Sequence, residues 1–180
     1  MILAWALLPA LCFAADAPRG IRNFRQVDDH IYRGGQPSRA GMQDLAKLGV
    51  HAVIDLRGGG ERSVSEKKQV EALGMKYYAA PLPALDAPRK DQIARILSLL
   101  NDSQNWPVFV HCQHGRDRTG TVVACYRIAH DNWTSQRALK EAVYHGLSRF
   151  ERGMRGFILE YEPPGEIPRA ASLARPKSVQ

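Results

Sequence analysis

Between Trp106 and His130 the chain runs from a short apolar stretch into a charged, glycine-bearing loop and out again into apolar residues, a passage that constrains the fold more than any other. Trp106-Pro107-Val108-Phe109-Val110-His111 is β-branched and aromatic, opens with proline, and predicts a buried strand. From Thr119 to His130 the apolar positions recur every three or four residues, which predicts a helix. Around this unit, strands are expected near 31–33, 51–57 and 75–82, and helices near 38–48, 62–73, 88–100, 135–145 and 154–161. Ser38 and Thr134 stand where N-caps belong, and Gly49, Gly74 and Gly146 where helices should stop. Strands alternating with helices predict an α/β fold with a central, mainly parallel twisted sheet of four to five strands flanked by helices.

The loop between strand and helix, Cys112-Gln113-His114-Gly115-Arg116-Asp117-Arg118, carries a nucleophile and a cation. Amide groups at a helix N-terminus lack intrahelical partners and sit at the positive end of the helix dipole, so they attract a phosphate dianion or a thiolate. Such surroundings with a nearby cation bring a cysteine from a pKa of about 8.5 to about 3.5–7.5. Arg118 supplies that cation, and its planar fork of donors suits two oxygens of a phosphoryl group. Gly115 lets the backbone turn its amides inward. The Thr119 hydroxyl is placed to donate to the sulfur and ease its departure.

The order His-Cys, five residues, Arg-Thr resembles the signature loop of the cysteine-based protein tyrosine and dual-specificity phosphatases. Ile31-Tyr32-Arg33-Gly34-Gly35-Gln36-Pro37 and Val53-Ile54-Asp55-Leu56-Arg57 resemble segments of the small bacterial and fungal dual-specificity-like members, so the likeness runs from about Phe24 to Gly146. The resemblance implies that Cys112 becomes phosphocysteine, that Arg118 binds phosphate, that Thr119 aids breakdown, and that His111 orients the loop. Gln113, His114, Gly115 and Arg116 join Arg118 as substrate-binding positions, with Arg116 at the rim where a second phosphate could meet it. A general acid must protonate the leaving oxygen. Two aspartates compete for that role: Asp86, in the proline-punctuated loop after an apolar strand, and Asp117, inside the signature loop, which could instead close the loop by hydrogen bonding. Asp86 is preferred. Substrates implied are phosphorylated proteins, with phosphoinositides or inositol phosphates as the alternative; no cofactor and no metal is called for.

The 180 residues suffice for one core, and the reading divides them into an export signal at 1–14, a phosphatase domain at 24–162 and a flexible tail at 163–180. The opening run is apolar and ends in Cys12-Phe13-Ala14, which predicts an export signal cleaved near Ala14, with an uncleaved anchor as the alternative, and a periplasmic or secreted protein with no stable membrane span once the signal is removed; the expected state is a monomer. The formal charge of +7 suits anionic substrates, but no aromatic-interleaved basic run points to nucleic acid. Cys125, inside the helix after the loop, reads as a small buried hydrophobe. Arg33 and Gln36 read as salt-bridge or turn residues, and Arg57 and Glu61 flank Gly58-Gly59-Gly60 in a loop near the pocket mouth. Rhodanese-like sulfur transfer also uses a cysteine in a short anion-binding loop, but the Arg-Thr ending speaks against it.

Overall fold

A computed structural model describes residues 18–164. The expected export signal at 1–14 and the expected tail beyond Pro164 lie outside the described residues. In chain order the elements are β1 (Arg25–Gln26), β2 (Ile31–Gly35), α1 (Arg39–Lys47), β3 (Ala52–Asp55), α2 (Glu61–Ala72), β4 (Lys76–Ala79), α3 (Lys90–Asn101), a 3-10 turn (Ser103–Asn105), β5 (Val108–Cys112), α4 (Asp117–Ala129), α5 (Ser135–Tyr144) and α6 (Arg152–Leu159). The sheet order is β1-β2-β5-β3-β4, with β2, β5, β3 and β4 parallel and β1 antiparallel at the edge.

β3 and β5 lie in the middle and are buried at every residue, as continuous apolar runs in a parallel sheet should be. Because side chains alternate along a strand, each of them feeds two cores. Ala52, Ile54, Val108, Val110 and Cys112 face α3 and α4, where they meet Ile93, Ile96 and Val122. Val53 and Phe109 face the opposite way, onto Met42 and Leu45 of α1 and Val70 of α2. Asp55 and His111, two residues further along, share the parity of Val53 and Phe109 and so point to the α1/α2 side. A third cluster, Ala124, Ala138, Ala142, Leu147, Met154 and Ile158, fixes α5 and α6 against the outer side of α4. α4 is therefore covered on most of its surface, and its residues 119–126 are all buried.

Ser38 caps α1 by accepting the Gly41 amide at 3.1 Å, and Thr134 caps α5 by accepting that of Arg137 at 3.3 Å. Gly49, Gly74 and Gly146 adopt positive φ (82°, 79° and 97°), the left-handed conformation that stops a helix. β4 is shorter than the sequence predicts. It ends at Ala79, although the amides of Ala80 and Leu82 still donate to the carbonyls of Asp55 and Leu56 at 2.9 and 3.1 Å, on either side of the point where the regular register stops. β1, with two residues, leaves no periodic signal at all.

Leu45 is fully buried. Leu45→Ala is expected to destabilise the protein by about 2–5 kcal/mol, and Ser38→Ala by about 1 kcal/mol, both measured by urea unfolding.

Candidate active site

Cys112 closes β5 and Asp117 opens α4, so the loop between them sits at the C-terminal edge of the sheet, where α/β folds bind ligands. Its shape is set by three hydrogen bonds to consecutive carbonyls. The Gln113 carbonyl accepts the Gln36 amide at 3.3 Å, the His114 carbonyl accepts Asn23 Nδ2 at 3.0 Å, and the Gly115 carbonyl accepts Arg33 Nη2 at 2.8 Å. In a planar trans peptide the N–H points opposite to the C=O. Holding these carbonyls toward β2 and its approach therefore turns the amides of His114, Gly115 and Arg116 the other way, into the cup.

The close fit requires glycine. Gly115 has φ of 69°, and a Cβ there would collide with the backbone of Gly34 and Gly35. A Cβ at Gly35 would lie 3.0 Å from the His114 carbonyl carbon. The donor for the last carbonyl is costly to place, because Arg33 is 99% buried and its Nε and Nη1 have no partner among the described residues. Burial lowers its pKa to about 10, against the pull of Glu141 and Cys112, and it stays charged at neutral pH.

The Cys112 thiol faces the α4 side. Burial alone would push it up; the Thr119 hydroxyl, the amides of Thr119 and His114 and the Arg118 guanidinium outweigh that, so the thiol titrates below its ordinary value. Thr119 is fully buried and its hydroxyl has no hydrogen-bond partner among the described residues, so it is free to serve the Cys112 sulfur, whose anion it favours. Cys125 is buried in the same core with nothing to stabilise its anion, and its thiol is pushed far up. Arg118 is half-buried and donates Nη1 to the Leu56 carbonyl at 3.3 Å.

His114 and Arg116 are exposed at the rim, and Gln113 is half-buried. The Arg116 stem lies over Gly146, where a Cβ would come within 2.9 Å of Arg116 Cδ. Asp117 occupies the first turn of α4 and accepts the Ser148 amide on Oδ1 at 2.8 Å, tying the α5–α6 loop to the cup. Asp86 is exposed in the β4–α3 loop. That loop leaves the sheet beside Arg118, since the Leu56 carbonyl also accepts the Leu82 amide at 3.1 Å. Behind Cys112, His111 Nε2 lies 2.7 Å from Glu66 Oε1. Asp55, Glu66 and His111 form a buried trio whose donor types could hold a metal, but the Arg57 guanidinium already lies between the two carboxylates, 2.8 Å from each.

Sequence reasoning missed the parts played by Arg33, Asn23, Asp55 and Glu66. Arg33 forms neither a salt bridge nor a turn but supports the cup, and the Arg33-Gly34-Gly35 run inside a strand was its one visible trace. Arg57 lies in the β3–α2 loop as expected, but its guanidinium is held in the buried ion-pair network with Asp55 and Glu66. It does line a cleft of about 470 Å³ together with Gly58–Gly60, Arg62, Gln113 and Arg118.

A parallel α/β sheet that presents a cysteine in a cup of amides with an arginine beside it is the layout that the resemblance to the cysteine-based phosphatases implies. A family profile described as a DSP-PTPase phosphatase fused to NAD+ kinase matches residues 19–153. Inositol diphosphatase DSP3 of Arabidopsis thaliana is 32% identical over 66% of this chain and 60% of its own length. Dual specificity protein phosphatase TpbA of Pseudomonas aeruginosa is 30% identical over 69% of this chain and 55% of its own. In fold, the core catalytic domain of the PP-IP phosphatase SIW14 from S. cerevisiae superposes with a TM-score of 0.72 at 21% identity, covering 78% of this chain and 86% of that one. The chain belongs to the cysteine-based dual-specificity phosphatase superfamily, whose members are hydrolases of the protein-tyrosine-phosphatase type.

Thiolate absorbance of the native protein is expected to appear below the pH of an ordinary thiol, and, of the cysteines among the described residues, to come from Cys112 and not Cys125. Thr119→Ala removes a hydrogen bond to the anion, so the absorbance should then rise at higher pH. Arg33→Met should move it the same way, by loosening the Gly115 peptide.

Proposed function

We propose that this chain is a phosphomonoesterase acting on phosphorylated proteins through a phosphocysteine intermediate. The observation that supports this best is the placing of the Cys112 thiol at the base of an amide-lined cup with Arg118 at its edge. In the first step the Cys112 thiolate attacks phosphorus; the S–P bond forms as the P–O bond to the leaving group breaks, and Asp86 donates a proton to the departing oxygen. Arg118 and the amides of His114, Gly115 and Arg116 hold the equatorial oxygens, where charge gathers in the transition state. In the second step water attacks phosphorus and gives its proton to the Asp86 carboxylate. The S–P bond breaks, and the returning thiolate accepts the Thr119 hydroxyl.

Asp86 is preferred over Asp117 as acid because Asp117 Oδ1 is already committed to the Ser148 amide. Asp86 has no partner among the described residues, on a loop that leaves the sheet one peptide from the Arg118 contact. His111 orients the loop from behind.

Cys112→Ser should abolish phosphate release from phosphotyrosine peptides while leaving tungstate binding in place. Asp86→Asn should lower kcat by about 10²–10⁴-fold for alkyl phosphates and far less for aryl phosphates with good leaving groups. Asp117→Asn should lower thermal stability and show no such dependence on the leaving group. Comparing phosphotyrosine peptides with phosphoinositide and inositol phosphate panels tests the substrate. A protein inert to all three that takes sulfur from thiosulfate would overturn the reading.

A further inference from the structure

α2 turns an unusual stripe inward. Its buried residues are Ser63, Glu66 and Val70, and Glu66 is only 4% exposed, at a position where amphipathic helices ordinarily carry an apolar side chain. A buried carboxylate lowers stability unless its surroundings satisfy it, so its presence here calls for a function.

Its two oxygens have different partners. Oε2 accepts Arg57 Nη2 at 2.8 Å, and Oε1 lies 2.7 Å from His111 Nε2. Arg57 is held in turn by Asp55, whose Oδ1 accepts Arg57 Nε and whose Oδ2 accepts Arg57 Nη2, each at 2.8 Å. The same carboxylate takes the Arg57 amide at 2.8 Å, the Ser63 hydroxyl at 3.0 Å and the Tyr77 hydroxyl at 2.8 Å. Burial would push the Asp55 carboxyl up, but Arg57, His111 and Tyr77 hold it far below the usual carboxylate range. Asp55 is thus a saturated anchor with no spare acceptor to offer His111, and Glu66 Oε1 is the oxygen that reaches the ring. On the other side of the ring, Nδ1 lies 3.3 Å from the Cys112 carbonyl. Nδ1 faces a carbonyl, which can only accept, so Nδ1 is the donor there; Nε2 and Glu66 Oε1 stand at ion-pair distance, and neither has another hydrogen-bond partner among the described residues. Phe109, stacked on it at 5.4 Å between centroids, fixes its plane.

We propose that Glu66 is a positioning residue for the nucleophile, acting through His111. It holds the imidazole so that Nδ1 braces the Cys112 peptide, and it joins that brace through Arg57 to the cleft beside Arg118. The inference rests on Cys112 being the nucleophile. The groups that bear on the thiol are Thr119, the amides of Thr119 and His114, Arg118 and Arg33 from the α4 and β2 side. His111 bears on it through the peptide, with Glu66, Asp55 and Arg57 facing the ring from α2 and β3.

Glu66→Gln is the test. A side-chain amide can accept from Arg57 or from His111 but not from both, since its NH2 must face the other. With phosphotyrosine peptide, kcat should fall about 10- to 100-fold with KM little changed, the effect of a slightly misplaced reacting group, and thiolate absorbance should move to higher pH. His111→Asn should do the same, and the double variant should be no worse than His111→Asn alone. Additive losses, or a Glu66→Gln enzyme with wild-type kcat and thiol titration, would overturn the proposal. If Glu66→Gln fails to fold, nitrogen-15 spectra of the wild-type His111 ring decide: a hydrogen-bonded Nε2 proton supports it, and a bare Nε2 overturns it. A wild-type protein with an ordinary Cys112 thiol and no phosphatase activity would instead sink the phosphocysteine reading beneath it.

Discussion

The outward anchoring of three successive carbonyls, at Gln113, His114 and Gly115, is the constraint on which the site depends. A peptide that fixes its oxygen also fixes its hydrogen. Once Gln36, Asn23 and Arg33 have claimed the oxygens, the amides have no direction left but inward. The anion site is therefore built into the loop before any anion arrives, which is what preorganised electrostatic stabilisation requires. The helix dipole of α4 adds to this field.

The sheet divides the chemistry between its faces. Cys112, Thr119 and Arg33 lie on the side of α3 and α4; His111, Asp55 and Glu66 lie on the side of α1 and α2. Adjacent residues of one strand reach both, so the thiol sits among apolar neighbours and amide donors while the carboxylates stay behind the strand. An anionic carboxylate on the same face would oppose the thiolate and the phosphate alike. The strand backbone keeps them apart without lengthening the path between them, since His111 and Cys112 share a peptide bond.

Much of this was legible in the sequence. The run from Trp106 to His130 announced strand, loop and helix because its local pattern, a proline-opened apolar run and then helical spacing, needs no distant partner to be read. The parallel sheet followed from the alternation of elements. The supports of the loop were not legible. Arg33 and Gly115 are 82 residues apart in the chain, and Asn23 and His114 are 91 apart. Only the β2–β5 pairing brings them together. Glu66 was hidden differently: in sequence it is one more charge on a polar helix, and only the direction of its side chain, into the sheet and toward His111, separates it from the exposed Lys67 and Lys68 that follow it.

The Leu56 carbonyl serves two donors, the Leu82 amide at the root of the Asp86 loop and the Arg118 guanidinium. A neutral acceptor at 3.3 Å is a weak resting place for a guanidinium, and a dianion outbids it easily. Arg118 is thus parked, not locked. On the proposed phosphatase reading, Arg118 would give up only this one side-chain contact to a carbonyl in turning to a phosphate.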